Sequence, residues 1–171
     1  MALTYQAIAT TTVGSGGAAN IEFNNIPQTY TDLVILYSAR TNSGAGTDEA
    51  YLTFNNNNSN YSWRMLVGDG SNTPISLNGG GSIAGMQIPG GTSTASTFSN
   101  GQIYIPNYAG SNNKSVSSES VQENNQTTAY IKLVAGLWSN SSPITSAKLS
   151  GTAGSFVEHS TATLYGIKNT V

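Results

Sequence analysis

The sequence predicts an all-β protein, a jelly-roll-like antiparallel β-sandwich. Short apolar runs recur between clusters of Gly, Asn and Ser, and no stretch keeps the apolar period of an amphipathic helix. The chain also contains 23 Ser, 20 Thr and 19 Asn but only 8% charged residues, and neutral hydrogen-bonding side chains suit the solvent face of a sheet. Because each sheet has one face to bury, so many strands are expected to form two packed sheets.

We expect a single β-sandwich domain over residues 1–171, since no segment resembles an interdomain linker. The predicted strands are Leu3–Thr12, Ala19–Phe23, Thr31–Ala39, Ala50–Phe54, Tyr61–Val67, Ile83–Ile88, Gln102–Ile105, Ser115–Val121, Thr128–Leu137, Ile144–Ser150 and Ser160–Ile167. The polar residues 1–17 form either an edge strand of this sandwich or an extended N-terminal arm that reaches a neighbour. The glycines of Gly14-Ser15-Gly16-Gly17 permit both.

Three strands have the clearest patterns. Residues 32–37 are apolar almost throughout after Asp32, which predicts a central strand covered on both faces. In residues 130–137, Ile131, Leu133, Ala135 and Leu137 share one face, and Tyr130, Lys132, Val134 and Gly136 share the other. Residues 161–167 alternate likewise, and we expect Ala162 and Leu164 to point inward.

Turn signals separate the runs. Asn100-Gly101 stands between Phe98 and Ile103 and predicts a tight hairpin, because Asn-Gly supplies the positive φ angles that such a turn needs. Asp69-Gly70 and Asn78-Gly79 are similar signals, and Pro27 and Pro106 are expected to close strands. Loop tips are predicted at 55–58 and 79–81, and a polar loop is predicted at Asp48-Glu49.

The charges argue against several classes of function. The six basic residues are dispersed, whereas nucleic-acid binding needs clustered Lys or Arg, so no nucleic-acid partner is expected. No apolar run approaches the roughly 20 residues that cross a bilayer, so no membrane partner is expected either. Residues 1–6 lack the pattern of a secretory signal, which predicts synthesis in the cytoplasm.

The search for catalytic chemistry finds no pattern, so we predict no catalytic residue, no cofactor, no metal and no enzymatic activity. His159 is the only histidine, and its neighbours Glu158 and Ser160 cannot form a triad with it, because adjacent strand residues face opposite sides. We expect a solvent-facing or loop histidine. The oxygen-bearing side chains of residues 69–72 could bind calcium, but the acidic spacing of a calcium loop is absent, so we expect no metal there. Residues 79–81 lack the lysine and helix of a phosphate loop.

Aromatic residues suggest another activity, binding of a surface glycan by stacking. Trp63 and Trp138 lie in strand-like runs, so we expect them in the core. Tyr61, Tyr104 and Tyr108 lie near turns and are the predicted surface-binding residues.

Three patches carry a resemblance to a family. Residues 26–35 (Ile-Pro-Gln-Thr-Tyr-Thr-Asp-Leu-Val-Ile) resemble a motif of small β-rich structural proteins of tailed bacteriophages, especially marine and cyanobacterial ones. Tyr51–Asn55 with Asn60–Trp63 is similar to a second patch of that group. Its ending is matched by Gly136-Leu137-Trp138, Ile144-Thr145-Ser146, Phe156 and Thr163–Ile167.

The resemblance implies a virion location, a β-sandwich and no catalytic residues. We therefore predict a capsid decoration (cement) protein that binds the particle surface and stabilises it, with the major capsid protein or tail proteins as partners. The alternative is a tail-fibre or tail-tip domain that binds a host glycan. The resemblance also implies a homo-oligomer, a trimer.

Overall fold

The structure is a computed structural model and describes residues 4–125 and 129–168. These residues form two antiparallel sheets and no helix, which confirms the predicted all-β sandwich. The strands are β1 (Tyr5–Thr12), β2 (Asn20–Phe23), β3 (Asp32–Ala39), β4 (Thr47–Phe54), β5 (Tyr61–Gly68), β6 (Ile75–Gly80), β7 (Ile83–Pro89), β8 (Ser99–Ile105), β9 (Lys114–Gln122), β10 (Tyr130–Trp138), β11 (Ala147–Gly151) and β12 (Thr161–Ile167).

Eight of these strands have the nested pairing of a jelly roll. The outermost strands of the chain pair with each other, β1 with β12, and inside them β2 pairs with β11, β3 with β8 and β4 with β7. The four pairs are divided between two sheets, ordered β1-β12-β3-β8 and β2-β11-β4-β7. This is the arrangement of two packed Greek keys that the sequence led us to expect.

Two inserted hairpins widen one of the sheets. The hairpin β5-β6 is inserted between β4 and β7, and β9-β10 is inserted between β8 and β11. Both add to the free side of β8, so that the larger sheet has the order β1-β12-β3-β8-β9-β10-β5-β6. The smaller sheet has four strands, and β6 lies at the far edge of the larger sheet, beyond its cover.

The core lies between the sheets and is built mainly from alternate residues of the strands other than β1 and β6. Trp138 at the end of β10 is 1% exposed, and it stacks on Tyr61 with ring centroids 6.0 Å apart and packs on Phe54 at 5.6 Å. Strand β7 is buried along its whole length. Its Gln87 amide donates to Ser120 Oγ of β9 at 3.0 Å, which fixes β7 against the inserted hairpin.

The N-terminal segment forms an edge strand of the same chain. Tyr5–Thr12 is β1 and pairs with β12 across the bulge at Ala7/Ala9. Of the two expected arrangements of residues 1–17, the described residues therefore adopt the edge strand. Leu3 of the predicted strand lies outside the described residues, as does Thr128, where a later strand was predicted to begin.

Several local predictions are wrong. Asn100-Gly101 is not a hairpin but lies within β8; a side chain at Gly101 would overlap the Tyr37 hydroxyl, so close packing and not a turn requires glycine there. Asn78-Gly79 likewise lies within β6, a strand that was not predicted, and Gly79 makes room for the Trp63 ring. Asp48-Glu49, predicted as a loop, lies within β4.

Other predictions hold or hold in part. The loop tip at 55–58 and the turn at Asp69-Gly70 lie outside strands as expected, and Pro106 directly follows β8. Ala162 and Leu164 point into the core. Strand β3 is internal to the sheet, but only one of its faces is fully covered, because Leu36 is 40% exposed on the other.

Candidate functional site

Two of the three tyrosines predicted at the surface are buried, and this placement is wrong. Tyr61 is 6% exposed because its ring stacks on Trp138, and its hydroxyl accepts the Phe54 amide at 2.7 Å and donates to the Asn57 carbonyl at 3.1 Å. This burial raises the pKa of Tyr61 to about 12. Tyr61 therefore ties the end of β4 to the start of β5 and is not available to a ligand.

Tyr108 is fully buried, and Tyr104 is half-buried. The Tyr108 hydroxyl donates to the Pro27 carbonyl and accepts the Tyr30 amide at 3.4 Å. The Tyr104 hydroxyl donates to Asp32 Oδ2 at 2.8 Å, and that hydrogen bond raises the Tyr104 pKa. The structure does not bring the three tyrosines together as an aromatic platform.

The tryptophans follow the expectation more closely. Trp138 is in the core, and Trp63 is half-buried and packs against the core. Trp138 therefore has no ring face open to a sugar.

The residues that carry the family resemblance have structural roles. The side-chain amide of Gln28 donates to the carbonyls of Ile26 at 2.8 Å and Ile144 at 3.0 Å. Asn55, with a φ of 51°, donates to the Pro143 carbonyl at 2.8 Å and accepts the Thr145 amide at 2.8 Å. These motifs therefore join the loops before β3, after β4 and before β11.

Two buried cations hold loops rather than a ligand. The Arg40 guanidinium donates to four backbone carbonyls of the loop 91–97, the shortest bond being 2.7 Å to Thr94. Lys114 donates to the carbonyls of Gly110, at 2.7 Å, and Asn112. Burial lowers the pKa of both side chains. Their hydrogen-bond capacity is used by the protein itself.

The acids do not converge. Within residues 4–125 and 129–168, no group of three or more His, Cys, Asp or Glu could hold a metal ion. Glu49 forms an ion pair with Lys132, and Asp48 accepts the Thr41 hydroxyl at 2.8 Å. His159 is exposed in the turn before β12, as expected.

The feature that sequence reasoning missed is an apolar outer face. We call outer face the side of the eight-stranded sheet that points away from the smaller sheet. Large aliphatic side chains stand exposed on it, from 38% for Val121 to 56% for Leu66: Leu36, Leu66, Val121, Ile131 and Leu133. Contiguous exposed apolar patches on soluble proteins commonly mark interaction sites.

The strand register brings these side chains together. Leu133 of β10 is the direct cross-strand partner of Leu66 on β5, and Ile131 is the partner of Val121 on β9. A shallow groove of about 430 Å³ runs along this face, and we call it the outer groove; it is lined by Arg64, Leu66, Ser76, Gln102, Glu119 and Leu133. A second groove of about 450 Å³ adjoins it and is lined by Leu36, Asn100, Val121 and Ile131.

Strand β10 explains why the sequence did not reveal this face. Its two faces were separated correctly, but alternation does not say which face is inside. Ile131 and Leu133 point out, whereas Lys132 and Val134 point in, at 5% exposure each. A lysine on the inner face is tolerated because its ammonium group reaches Glu49 of the opposite sheet. The more apolar face of this strand is thus the exposed one.

Two opposite charges flank the outer groove. Among the described outward-facing residues of β8, β9, β10, β5 and β6, the charged ones are Arg64 on β5 and Glu119 on β9. Arg64 Nη1 donates to the Trp63 carbonyl at 2.9 Å, and neither residue forms an ion pair within the described part of the chain. The groove therefore combines the apolar side chains of Leu66, Leu133 and Ala135 with one base and one acid on opposite sides of β10.

Comparison of the chain with profiles of known protein families, with curated proteins and with solved structures finds no match. Over the described residues, no helix long and apolar enough to cross a membrane is present.

Proposed function

We propose that this chain is a structural protein of a tailed-bacteriophage particle, of the capsid decoration (cement) type, which stabilises the particle by protein–protein contacts and without catalysis. The observation that carries the proposal is the apolar outer face. A sheet face with five exposed large aliphatic side chains and only two nearby charges is suited to a protein surface and poorly suited to permanent contact with water.

The jelly roll supports the same reading, because this architecture recurs in viral capsid domains. Fold alone does not imply function, however. The virion assignment and the partners, the major capsid protein or tail proteins, rest on the resemblance of residues 26–35 and the two later patches. Among the described residues, no group of three or more His, Cys, Asp or Glu could hold a metal ion.

The alternative is a tail-fibre or tail-tip domain that binds a host glycan. The three tyrosines predicted to bind the glycan do not form such a site. Tyr61 and Tyr108 are buried, and the Tyr104 hydroxyl is committed to Asp32. It stays a prediction, and a glycan array probed with the purified chain tests it.

Copy number in the particle tests the proposed function. Quantitative mass spectrometry of purified particles of the virus that encodes this chain should find it at a copy number comparable to that of the main shell subunit. A copy number of a handful per particle would place it in the tail, and absence from the particle would overturn the proposal.

A further inference from the structure

We propose that the outer groove binds the outer groove of a second copy of this chain, forming a two-fold symmetric dimer with reciprocal contacts between Arg64 and Glu119. This inference rests on the proposed function, in that it takes the outer face to be an assembly surface. It names a second copy as the partner of that face, in a dimer and not in the trimer that the resemblance implies.

The two charges beside the outer groove are complementary to those of a second copy. Arg64 is opposite Ala135 in the β5–β10 register, and Glu119 is opposite Leu133 in the β9–β10 register. The two residues thus lie on opposite sides of β10 and two residues apart along it, roughly 12 Å between backbones at ordinary strand spacing. Within one chain they do not pair, so each leaves an unneutralised charge beside the groove.

A two-fold axis gives each of the two charged residues an oppositely charged partner from the other copy. In a symmetric dimer, if residue i contacts residue j, then residue j contacts residue i of the other copy. An axis in the plane of contact exchanges the positions of Arg64 and Glu119 if it crosses β10 between Leu133 and Ala135 and runs perpendicular to the line that joins the two charged residues. Each Arg64 then faces a Glu119 of the other copy, and the leucine pair Leu66–Leu133, which lies beside the same axis, packs on its own copy.

The outer face is also large enough for a specific interface. Five strands about 4.8 Å apart and about seven residues long present a face of roughly 550 Å² per copy, or about 1,100 Å² for the pair. The area of the two faces together slightly exceeds the roughly 1,000 Å² that specific interfaces require. A partner with a patch of one sign would fit poorly, because the groove carries one charge of each sign and is complementary to itself.

The test exploits the reciprocity of the contact. Sedimentation velocity over a concentration series should show that the wild-type chain forms a dimer. Arg64→Glu alone creates two acidic contacts and Glu119→Arg alone creates two basic ones, so each variant should dimerise about tenfold more weakly or worse. An equimolar mixture of the two variants restores both ion pairs and should form the heterodimer with an affinity within a few-fold of the wild-type value.

A charge reversal outside the outer face provides the control. Glu158→Arg, an equivalent reversal on an exposed turn outside the outer face, should leave the dimer unchanged, and circular dichroism should show that every variant is folded. A wild-type monomer at all concentrations, a trimer, or a mixture no stronger than the single variants would overturn the inference. The two proposals fail separately: a monomer found abundantly in particles defeats the dimer alone, whereas a dimer missing from particles defeats the virion function alone.

Discussion

Individual side chains in this protein are placed by close packing more than by turn chemistry. Gly101 looks like half of an Asn-Gly turn but lies within a strand, where the Tyr37 hydroxyl occupies the space that its side chain would need. Tyr61 looks like a surface residue near a turn but is held inside by a stacked tryptophan and by the Phe54 amide. Both errors have one cause, since the sequence shows a residue's neighbours along the chain and not those across the sheet.

Gly101→Ala should destabilise the fold by about 1–3 kcal/mol, because the added methyl group must displace the Tyr37 ring or the backbone of β9. The matched control is Gly14→Ala, where an added Cβ meets no atom within 4 Å and the change should stay within about 0.5 kcal/mol. Urea unfolding of the two variants measures the difference. Equal stabilities would contradict the packing at Gly101.

Tyr61 should make the fold sensitive to alkali. Its pKa rises from 10.0 when unfolded to about 12 in the folded protein, so the folded state favours the neutral phenol. The stabilisation is complete below pH 10 and is lost as pH rises from 10 to 12, amounting to about 2 kcal/mol. Tyr61→Phe should be less stable at neutral pH but should lose less stability over that range. Urea titrations at several alkaline pH values test this, and identical pH slopes would refute it.

At the scale of elements, the sequence located most strands but not the direction in which they face. Eleven runs were predicted, and the missed strand, β6, is rich in Gly and Asn and has little packing to specify it. The outer face could not be foreseen because each strand was considered by itself. In β10 the choice between faces depends on Lys132 finding Glu49 on the other sheet, a contact between residues 83 positions apart.

Adjacent residues of β10 should therefore respond in opposite ways. Val134→Ser should cost about 2–4 kcal/mol of unfolding free energy, since it leaves a cavity and buries a hydroxyl. Leu133→Ser, one residue earlier, should change the stability of the monomer by no more than about 0.5 kcal/mol, because Leu133 is 49% exposed. Denaturation at concentrations too low for association provides the comparison. The reverse order of the two effects would mean that the faces of β10 are inverted.

At the scale of the whole molecule, a jelly roll is widened by two inserted hairpins, and β7 of its smaller sheet packs on the inner face of β9, β10 and β5. The nested eight-stranded unit is a complete sandwich, and β9, β10, β5 and β6 extend one sheet beyond it. This extension supplies most of the exposed aliphatic side chains and both groove charges. The insertions thus supply most of the exposed aliphatic side chains of the outer face, while their inner residues, such as Val134 and Trp138, belong to the core.

The most direct test of this account is incorporation into particles. Leu66→Ser/Leu133→Ser removes the leucine pair of the outer groove, and Ile75→Ser/Leu77→Ser removes a similarly exposed pair from the opposite side of the same sheet. Both variants, produced during infection in place of the wild-type chain, can be quantified in purified particles by mass spectrometry. We expect the outer-groove variant to be lost from particles and the control to be retained. Equal incorporation of the two would contradict the claim that the outer face is the assembly surface.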